Sequence, residues 1–388
     1  MNLFDVLLVL LAASAATGGY RLGFLARASS WLGLALGVTL GALLLPEVLP
    51  RLEGASDVTI ALVAVGTLVG TALIGQAAGL FLGARLHAEL PEGPARTTDQ
   101  VAGGVFGVVG VLVLLWILLP TLAHVQGWTA EQARSSRIAR EVSDHFPNPP
   151  DTLEALRRIV GDDPFPEVFD ALRPAPDVGA TPGDSGLSAD MAAAVTQSTV
   201  KVEGEACSRI QEGSGFFVSP RLVVTNAHVV AGESRTKLEL ADGDTVDATV
   251  VAFDPDRDLA VLRTDENVGI APLTLRHAEA GDTGGVFGHP GGGPLEISPF
   301  RVSEQIPALG RNIYDQGRTR REVLVLASEL RPGDSGSALV DAQGQVIGVA
   351  FAVAPDKPGV AYALAIEELE PVLAGDLTRA RDTGDCLV

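Results

Sequence analysis

Three short segments in the second half of this 388-residue chain hold side chains that suit nucleophilic catalysis. His228 follows the run Val223–Ala227, Asp258 directly precedes the apolar run Leu259–Leu262, and Ser335 lies in a Gly-Asp-Ser-Gly sequence. A serine hydroxyl is a weak nucleophile at neutral pH and needs a base within hydrogen-bonding reach. Histidine, with an unperturbed pKa of about 6.5, takes up and returns that proton, and a buried carboxylate fixes its tautomer. These residue types therefore predict hydrolysis by an activated serine.

Gly333 and Ser335 are predicted to supply an oxyanion hole. A glycine at position 333 permits a tight turn in which the backbone N–H groups of both residues point at one spot. Each such donor stabilises the tetrahedral oxyanion by on the order of 3 kcal/mol.

Each of these signals is weak when it is taken alone. A Gly-Asp-Ser-Gly sequence is often only a turn, and a histidine at the end of a strand is more often structural. Asp254 and Asp256 compete with Asp258 and suit turn positions, but only Asp258 directly precedes the strand-like run. His289 competes with His228, but it lies in a glycine turn and outside the His-Asp-Ser order. The three signals in one order, separated by 30 and 77 residues on a strand-rich background, favour the catalytic interpretation.

The elements that must position these residues are short strands. From residue 198 onward, alternating apolar and polar runs are separated by Gly, Asp and Pro turns, a pattern typical of β barrels and sandwiches. A short helix, Met191–Gln197, is predicted to lead into them. The predicted strands are Ser198–Val202, Gly215–Val218, Leu222–Thr225, Thr236–Leu240, Thr245–Phe253, Leu259–Thr264, Gly284–Phe287, Glu322–Ala327, Ala338–Val340, Val346–Phe351 and Gly359–Ala363.

The first third of the chain has four long apolar stretches instead. They are Phe4–Gly19, Ala28–Leu45, Val58–Leu82 and Val101–Leu119, each close to the roughly 17–25 residues that a helix needs to cross a bilayer. The first could instead be a signal peptide, because Ala13–Ala15 has small residues. No Lys or Arg precedes it, so we interpret it as a retained span. We therefore predict a four-helix transmembrane bundle.

Arginine positions predict the orientation of these spans. The loops after the first and third stretches carry two arginines each, the second loop carries one, and the N-terminal tail carries none. Because basic residues concentrate in cytoplasmic loops, both termini are expected outside the inner (cytoplasmic) membrane. Arg134, Arg137 and Arg140, after the fourth stretch, argue mildly for the opposite orientation, but long domains translocate largely regardless of charge.

The few charges and the many glycines of the membrane region indicate which functions it can have. The spans have almost no ionisable residues, Gln76 being the main polar one, which argues against a channel or transporter. Glycines recur at every fourth residue, as in Gly33, Gly37 and Gly41, which favours close packing within the bundle over dimerisation. The net charge of −20 argues against a nucleic-acid partner, since phosphate binding needs a basic face.

A polar, Pro-rich connector separates the two halves. Thr129–Val142 and Asp151–Val160 have the pattern of surface helices, and Phe146–Pro150 separates them. Pro and Gly then recur up to residue 186, as in a linker. We therefore predict three parts: residues 1–124 transmembrane, residues 125–188 connector, and residues 189–388 the domain that carries the chemistry.

The three chemical segments resemble those of trypsin-like (chymotrypsin-fold) serine proteases in the branch near the HtrA proteases. The matching blocks are Thr225–Val230, Asp258–Leu262 and Gly333–Ser337, with the glycine turn Val286–Gly292 as a fourth. This resemblance implies an all-β domain of two six-stranded barrels, with the active site in the cleft between them.

The sequence leaves several roles open for the residues of a substrate pocket. Glu329 lies six residues before Ser335, where this fold often places the base of the S1 pocket, and a carboxylate there would favour a basic P1 residue. Equally, Glu329 could point to solvent or pair with Arg331. Phe351 and Tyr362 are candidate pocket walls, with core packing as the alternative.

The N-terminal region resembles the colicin V production (CvpA) family of membrane domains in Phe4–Leu7, in Gly18–Phe24 and in its span count. A CvpA-like domain, a Pro-rich connector and a trypsin-like domain with two cysteines is the layout of the MarP-type acid-resistance proteases. This resemblance covers essentially the whole chain. It implies a membrane-anchored periplasmic protease that helps cells to maintain pH homeostasis under acid or oxidative stress.

The two cysteines, Cys207 and Cys386, are a candidate disulfide. Bonded to each other, they would tie the C-terminal tail to the first barrel and stabilise the domain by roughly 5 kcal/mol in the chain-entropy model. A location outside the cytoplasm permits the bond. Two unpaired thiols are the alternative, because sequence alone does not establish proximity.

Together these observations predict a serine endopeptidase in which His228 is the general base, Asp258 orients it and Ser335 is the nucleophile. Its substrates are expected to be envelope proteins, and the reaction requires no metal or cofactor. The alternative is a catalytically silent, protease-like scaffold or membrane assembly factor. The complete His-Asp-Ser set argues against that alternative.

Overall fold

The computed structural model describes residues 2–48, 57–124, 127–146, 174–206 and 209–387. The chain divides into two compact units, Met1–Leu122 with Ser135–Val160 and Ala123–Arg134 with Gly161–Val388. The predicted helix Asp151–Val160 lies outside the described residues.

The first unit contains three long apolar helices, α1 (Leu3–Val48), α2 (Asp57–Ala88) and α3 (Pro94–His124). By length and composition, all three can cross a membrane. The sequence predicts four spans, and the difference lies in α1, which contains the first two predicted stretches. Its helix is interrupted at Gly23, where φ is 80° and ψ is 163°. The count of four spans stays a prediction.

The contacts of α1 show that the chain reverses direction at Gly23. Ala15, eight residues before the break, packs against Gly107 of α3. Trp31, eight residues after it, packs against Gly110, three residues farther along α3. In a straight helix, Ala15 and Trp31 would lie about 24 Å apart, because they are separated by 16 residues. They could not then both contact neighbouring turns of α3. The two halves of α1 therefore fold back on each other around α3.

A buried pair of side chains supports this break. The Asp99 carboxylate accepts a hydrogen bond from the Leu25 N–H at 3.0 Å, and its other oxygen lies 2.6 Å from His87 Nδ1. A Cβ atom at position 23 would overlap this carboxylate, so only glycine fits. The sequence does not predict this pair, because both residues lie beyond the ends of the predicted spans.

Glycines bring α1 and α2 into backbone contact. A Cβ on Gly33 would lie 2.1 Å from the carbonyl oxygen of Gly75, and one on Gly79 would lie 2.1 Å from that of Ser29. Larger residues at these positions would push the helices apart. The glycine spacing thus serves packing within this unit.

Two short helices follow α3 in place of the single predicted helix Thr129–Val142. They are α4 (Trp128–Ser135) and α5 (Arg137–His145). Ser136 has extended φ and ψ angles between them, and its hydroxyl accepts a hydrogen bond from Ala139 N as the N-cap of α5. The Asp5 carboxylate accepts hydrogen bonds from Ser136 Oγ and Ile138 N, which joins α5 to the start of α1.

The second unit contains two closed six-stranded antiparallel barrels, as the resemblance implies. The strand order is β1-β2-β3-β6-β5-β4 in the first barrel and β10-β11-β12-β9-β8-β7 in the second. Helix α6 (Ala189–Ser198) leads into β1, the short helix α7 (Ala227–Val230) follows β3, and α8 (Ile366–Leu373) follows β12. The strands are β1 (Thr199–Ala206), β2 (Arg209–Ser219), β3 (Leu222–Thr225), β4 (Glu233–Glu239), β5 (Thr245–Asp254), β6 (Leu259–Thr264), β7 (Thr283–Gly288), β8 (Glu296–Arg311), β9 (Arg318–Ala327), β10 (Ala338–Asp341), β11 (Val346–Val353) and β12 (Val360–Ala365).

Strand register brings the predicted site residues to one place. β3 pairs with β6 in antiparallel fashion, with Thr225 opposite Ala260. The residues that follow β3 and those that precede β6 therefore lie at the same end of the first barrel. Successive side chains of β3 and β6 are buried in two different apolar clusters, so a shift of one residue would exchange the side chains that fill them.

Candidate active site

The β3–β6 pairing places His228 against Asp258. His228 Nδ1 lies 2.8 Å from Asp258 Oδ2, and the backbone N–H of His228 donates to Oδ1 at 2.9 Å. The Asp258 side chain is fully buried, whereas the His228 side chain is 16% exposed. Since the carboxylate accepts the Nδ1 proton, the neutral imidazole carries its lone pair on Nε2. That nitrogen is therefore set up to act as a base.

The backbone of Asp258 adopts an unusual conformation that its neighbours support. Its φ angle is 59°, in the left-handed region that Asp tolerates better than most residues. The Asn226 side-chain amide donates to the Asp258 carbonyl oxygen at 2.8 Å. Asn226 directly precedes α7. Its side chain therefore ties the start of that helix to the turn that carries the Asp258 carboxylate.

A buried arginine of the second barrel fastens the same turn. Arg321 on β9 is 1% exposed, its Nε donates to the Asp256 carbonyl oxygen and its Nη2 to the Arg311 carbonyl oxygen, both at 2.7 Å. Burial lowers the pKa of the Arg321 guanidinium, and the nearby carboxylates of Asp258 and Glu368 oppose that shift. The turn that carries Asp258 is therefore held from both barrels.

Ser335 lies in the loop between β9 and β10, close to the end of β3. The Ser335 carbonyl oxygen accepts a hydrogen bond from Ser214 N at 2.8 Å, and Gly336 N donates to the Ala350 carbonyl oxygen at 2.9 Å. Gly336 has a φ of +84°, and a Cβ there would lie 2.1 Å from the Ser214 carbonyl oxygen and 2.5 Å from Thr225 Oγ1. Glycine is thus required for the loop to approach the strand that leads to His228.

The backbone around Ser335 leaves two N–H donors available. Gly333 has a φ of +98°. In the part of the chain that the structure describes, neither the Gly333 N–H nor the Ser335 N–H donates a hydrogen bond to the protein, and no hydrogen bond joins His228 Nε2 to the Ser335 hydroxyl. Catalytic hydrogen bonds are often long in the absence of substrate and tighten when it binds.

Asp334, between the two donors, is a buried carboxyl group with little compensation. It is 3% exposed and accepts a hydrogen bond from the backbone N–H of Arg331 at 2.8 Å. Burial raises the pKa of Asp334 to about 6, against the opposing effects of this hydrogen bond and of the Arg331 charge. The loop that carries Ser335 therefore contains a carboxyl group with a pKa of about 6.

The other residues singled out in the sequence have different surroundings. Phe351 and Tyr362 are 0% and 3% exposed and belong to the same hydrophobic core, which matches the packing role left open for them. The Glu329 side chain is exposed, and Arg331 pairs with Glu296. His289 is partly buried, which lowers its pKa, and its Nδ1 lies 3.0 Å from the Gly293 carbonyl oxygen.

Cys386 is disulfide-bonded, whereas Cys207 lies outside the described residues, so the pairing of the two stays a prediction. The C-terminal tail that carries Cys386 packs against Gly232, in the segment after α7. Gly232 N donates to the Thr383 carbonyl oxygen at 3.0 Å, and a Cβ on Gly232 would lie 3.0 Å from the Cα of Cys386.

Three carboxylates of the first barrel share a single lysine. Glu203, Glu212 and Glu239 surround Lys201, with Nζ–Oε distances between 3.1 and 3.6 Å. Among the described residues, no group of three or more His, Cys, Asp or Glu side chains is arranged to hold a metal ion.

Sequence reasoning missed Ser214, Asn226 and Arg321 as members of this site. Ser214 directly precedes the predicted strand Gly215–Val218, and Asn226 lies within the segment Thr225–Val230, where only His228 suggests catalysis. Arg321 ends a basic run that has the composition of a solvent-exposed surface. Their partners come from distant parts of the chain, so no local pattern identifies them.

Comparison with known proteins matches both halves of the chain. Residues 213–349 match the Trypsin-like peptidase domain family, and residues 4–147 match the Colicin V production protein family. The serine protease Rv3671c of Mycobacterium tuberculosis (strain ATCC 25618 / H37Rv) is 32% identical over 397 residues, which cover 99% of this chain and 98% of that protein. The serine protease Do-like HtrA of Lactobacillus helveticus is 29% identical, over 63% of this chain and 60% of that protein.

A solved structure supports the same assignment. The crystal structure of the Rv3671c protease from M. tuberculosis in its active form matches 58% of this chain and 99% of that chain, with a TM-score of 0.52 and 34% sequence identity. The relationship extends over both halves of the chain, including the apolar helices that associate it with a membrane. The chain therefore belongs to the MarP-type family of serine proteases, which join a Colicin V production protein domain to a trypsin-like peptidase domain.

Proposed function

We propose that the protein is a membrane-anchored endopeptidase that cleaves envelope proteins with His228, Asp258 and Ser335 as its catalytic triad. The observation that carries this proposal is the pair of hydrogen bonds from His228 to the two oxygens of the buried Asp258 carboxylate. A solvated surface histidine needs no such arrangement. The two hydrogen bonds define one tautomer of His228, and the carboxylate stabilises the imidazolium that forms when the base takes up a proton.

In the proposed reaction, the Ser335 oxygen attacks the carbonyl carbon of the scissile peptide bond while His228 Nε2 accepts the hydroxyl proton. The carbonyl oxygen becomes an oxyanion, which the N–H groups of Gly333 and Ser335 stabilise. The intermediate collapses, the C–N bond breaks, and His228 returns the proton to the leaving amine. Water then attacks the acyl-enzyme by the same route, with His228 again as base.

Labelling of the full chain in lipid nanodiscs by a fluorophosphonate tests this proposal. The unmodified protein is expected to label, and Ser335→Ala is expected to remain unlabelled. Ser337→Ala is a matched control, because it removes a buried hydroxyl two residues away that has no hydrogen-bond partner among the described residues. A folded, unmodified protein that does not label would contradict the proposal and favour the scaffold alternative.

We also propose the finer assignments that the sequence predicts for location and domains. Residues 1–124 would cross the inner membrane four times, and residues 189–388 would form the periplasmic protease domain. Residues 125–188 would connect these two parts. The return of the chain at Gly23 supports four spans, since each half of α1 has the length of a crossing. Digestion of spheroplasts by added protease tests the orientation, and protection of the C-terminal unit would overturn it.

A role in acid and oxidative stress, and the disulfide between Cys207 and Cys386, complete this proposal. Both rest on the family resemblance, and the bonded state of Cys386 next to the segment after α7 supports the disulfide. Mass spectrometry of a non-reduced digest tests the pairing. Survival of a strain that produces only Ser335→Ala, compared with the unmodified protein at pH 5 and with peroxide, tests the physiological role.

A further inference from the structure

Ser214 of β2 makes four hydrogen bonds at the junction of the two barrels, although no predicted motif includes it. Its hydroxyl accepts from His289 N at 2.9 Å and donates to the Gly333 carbonyl oxygen at 2.8 Å. Its backbone N–H donates to the Ser335 carbonyl oxygen at 2.8 Å, and its carbonyl oxygen accepts from Thr225 Oγ1 at 2.7 Å. The residue is fully buried, so water does not replace these bonds.

The Gly333 N–H belongs to the peptide group between Pro332 and Gly333, and the peptide group between Gly333 and Asp334 lies between it and the peptide group that carries the Ser335 N–H. The first, between Pro332 and Gly333, is held by the Gly291 N–H, which donates to the Pro332 carbonyl oxygen at 2.7 Å. A trans peptide group is planar, with its C=O and N–H on opposite sides, so the Gly333 N–H points away from the Gly291 turn. The second, between Gly333 and Asp334, is held by the Ser214 hydroxyl.

These two bonds compensate for the freedom of a glycine. Gly333 has φ +98°, where only glycine is unstrained, and the same lack of a side chain allows its peptide groups to rotate. The Gly333 backbone also packs closely against that of His289, because a Cβ at position 333 would lie 2.4 Å from the His289 carbonyl oxygen. This close packing limits the rotation on one side. The Ser214 hydroxyl is the only side-chain group that bonds to the Gly333 backbone in the described ranges.

We propose that Ser214 is a positioning residue of the oxyanion hole: its hydroxyl and its backbone N–H hold the Gly333 and Ser335 carbonyl groups, and thereby the peptide groups next to those that carry the two N–H donors. This inference rests on the proposed function, because an oxyanion hole has a use only if Ser335 is acylated. Ser214 touches neither substrate nor the reacting atoms. Its effect is on the rate of the chemical step, since the oxyanion exists in the transition state and intermediate but not in the bound substrate.

The test uses the full chain in lipid nanodiscs, with Ser214→Ala compared with Ser337→Ala. Both variants remove one buried serine hydroxyl, but only the Ser214 hydroxyl has hydrogen-bond partners in the described residues. The measurements are kcat and KM for cleavage of dye-labelled casein, and kinact and KI for a fluorophosphonate. For Ser214→Ala, we expect kcat and kinact to fall roughly 10- to 100-fold, with KM and KI nearly unchanged. Ser337→Ala should match the unmodified protein.

Two further measurements separate positioning from a general loss of structure. The limb of the pH–rate profile that reports the His228 base should not move in Ser214→Ala, because the His228–Asp258 pair is untouched. Ser214→Thr, which keeps the hydroxyl, should recover most of the rate. Equal kcat in Ser214→Ala and the unmodified protein, or a loss that Ser214→Thr does not recover, would overturn the inference. If the unmodified protein neither labels nor cleaves casein, the proposed function itself fails.

Discussion

The two halves of the candidate site are held in place by different kinds of interaction. In the base half, formed by His228 and Asp258, both carboxylate oxygens bind one histidine and the surrounding turn is tied to both barrels. In the nucleophile half, formed by residues 331–336, glycine backbones and peptide hydrogen bonds determine the shape. One buried carboxyl there, that of Asp334, accepts a single backbone N–H among the described residues.

This difference indicates which property each half controls. A buried carboxylate that accepts hydrogen bonds on both oxygens defines the tautomer of its histidine, so changes in the base half should alter chemistry more than folding. Close backbone packing determines shape, so changes in the nucleophile half should alter folding and chemistry together. A buried carboxyl with one hydrogen bond makes the nucleophile half the more sensitive to pH.

The largest expected effect comes from Asp258→Asn in the base half. The amide would support the wrong tautomer of His228, so we expect kcat to fall by about 10⁴ with little change in KM. The thermal midpoint should change little, because the side chain keeps its size. Casein cleavage and thermal unfolding of the full chain check both parts.

Asp256→Asn is the matched control for that variant, because it makes the same change on an exposed side chain two residues earlier. It should retain nearly full activity. A fall of less than tenfold in Asp258→Asn would mean that the carboxylate does not orient the base.

The next effect comes from Gly336→Ala in the nucleophile half. The new Cβ would lie 2.1 Å from the Ser214 carbonyl oxygen, so the loop must move by more than 1 Å and the Ser335 hydroxyl with it. We expect loss of labelling together with a destabilisation of several kcal/mol, measured by chemical unfolding.

Gly243→Ala separates crowding from backbone strain. Gly243 also has a positive φ, 89°, but nothing lies within 4 Å of a Cβ there. Strain alone should cost about 1 kcal/mol and leave labelling unchanged. Equal destabilisation in the two variants would show that the close approach of the loop to Ser214 is not essential.

The sequence predicts eleven of the twelve strands because each is a short alternating run between turn residues. The strand that it misses, β8, contains Pro299 and Pro307, which normally argue against a strand since proline has no N–H to donate. Both are tolerated because β8 still pairs on both of its sides, with Pro299 opposite Gly285 and Pro307 opposite Glu322. Tertiary pairing outweighed local propensity there.

The same limit applies to the site. His228, Asp258 and Ser335 are recognisable because each lies in a local motif. Ser214 and Arg321 act on residues 119 and 65 positions away in the chain, and neither contact leaves a local pattern. Candidate catalytic residues are thus easier to find from sequence than the residues that hold them in place.

The smallest of these effects is a pH dependence of stability, which should separate the two halves most sharply. The raised pKa of Asp334, about 6 compared with an ordinary 3.8, means that the folded state binds its proton more tightly than the unfolded state. The contribution of Asp334 to the free energy of unfolding is therefore fully present below pH 3.8 and is lost as the pH rises through about 6. Between pH 5 and pH 7.5, this one group should lower the free energy of unfolding by on the order of 1 kcal/mol.

Asp334→Asn should remove this part of the pH dependence, so the difference in unfolding free energy between variant and unmodified protein should grow by that amount from pH 5 to pH 7.5. Glu233, on β4 after α7, calibrates the measurement, because burial raises its pKa to about 7 and Glu233→Gln should give a change of the same sign. Asp258→Asn gives the comparison from the base half. A larger pH-dependent change in Asp258→Asn than in Asp334→Asn would place the sensitivity in the base half and reverse the comparison.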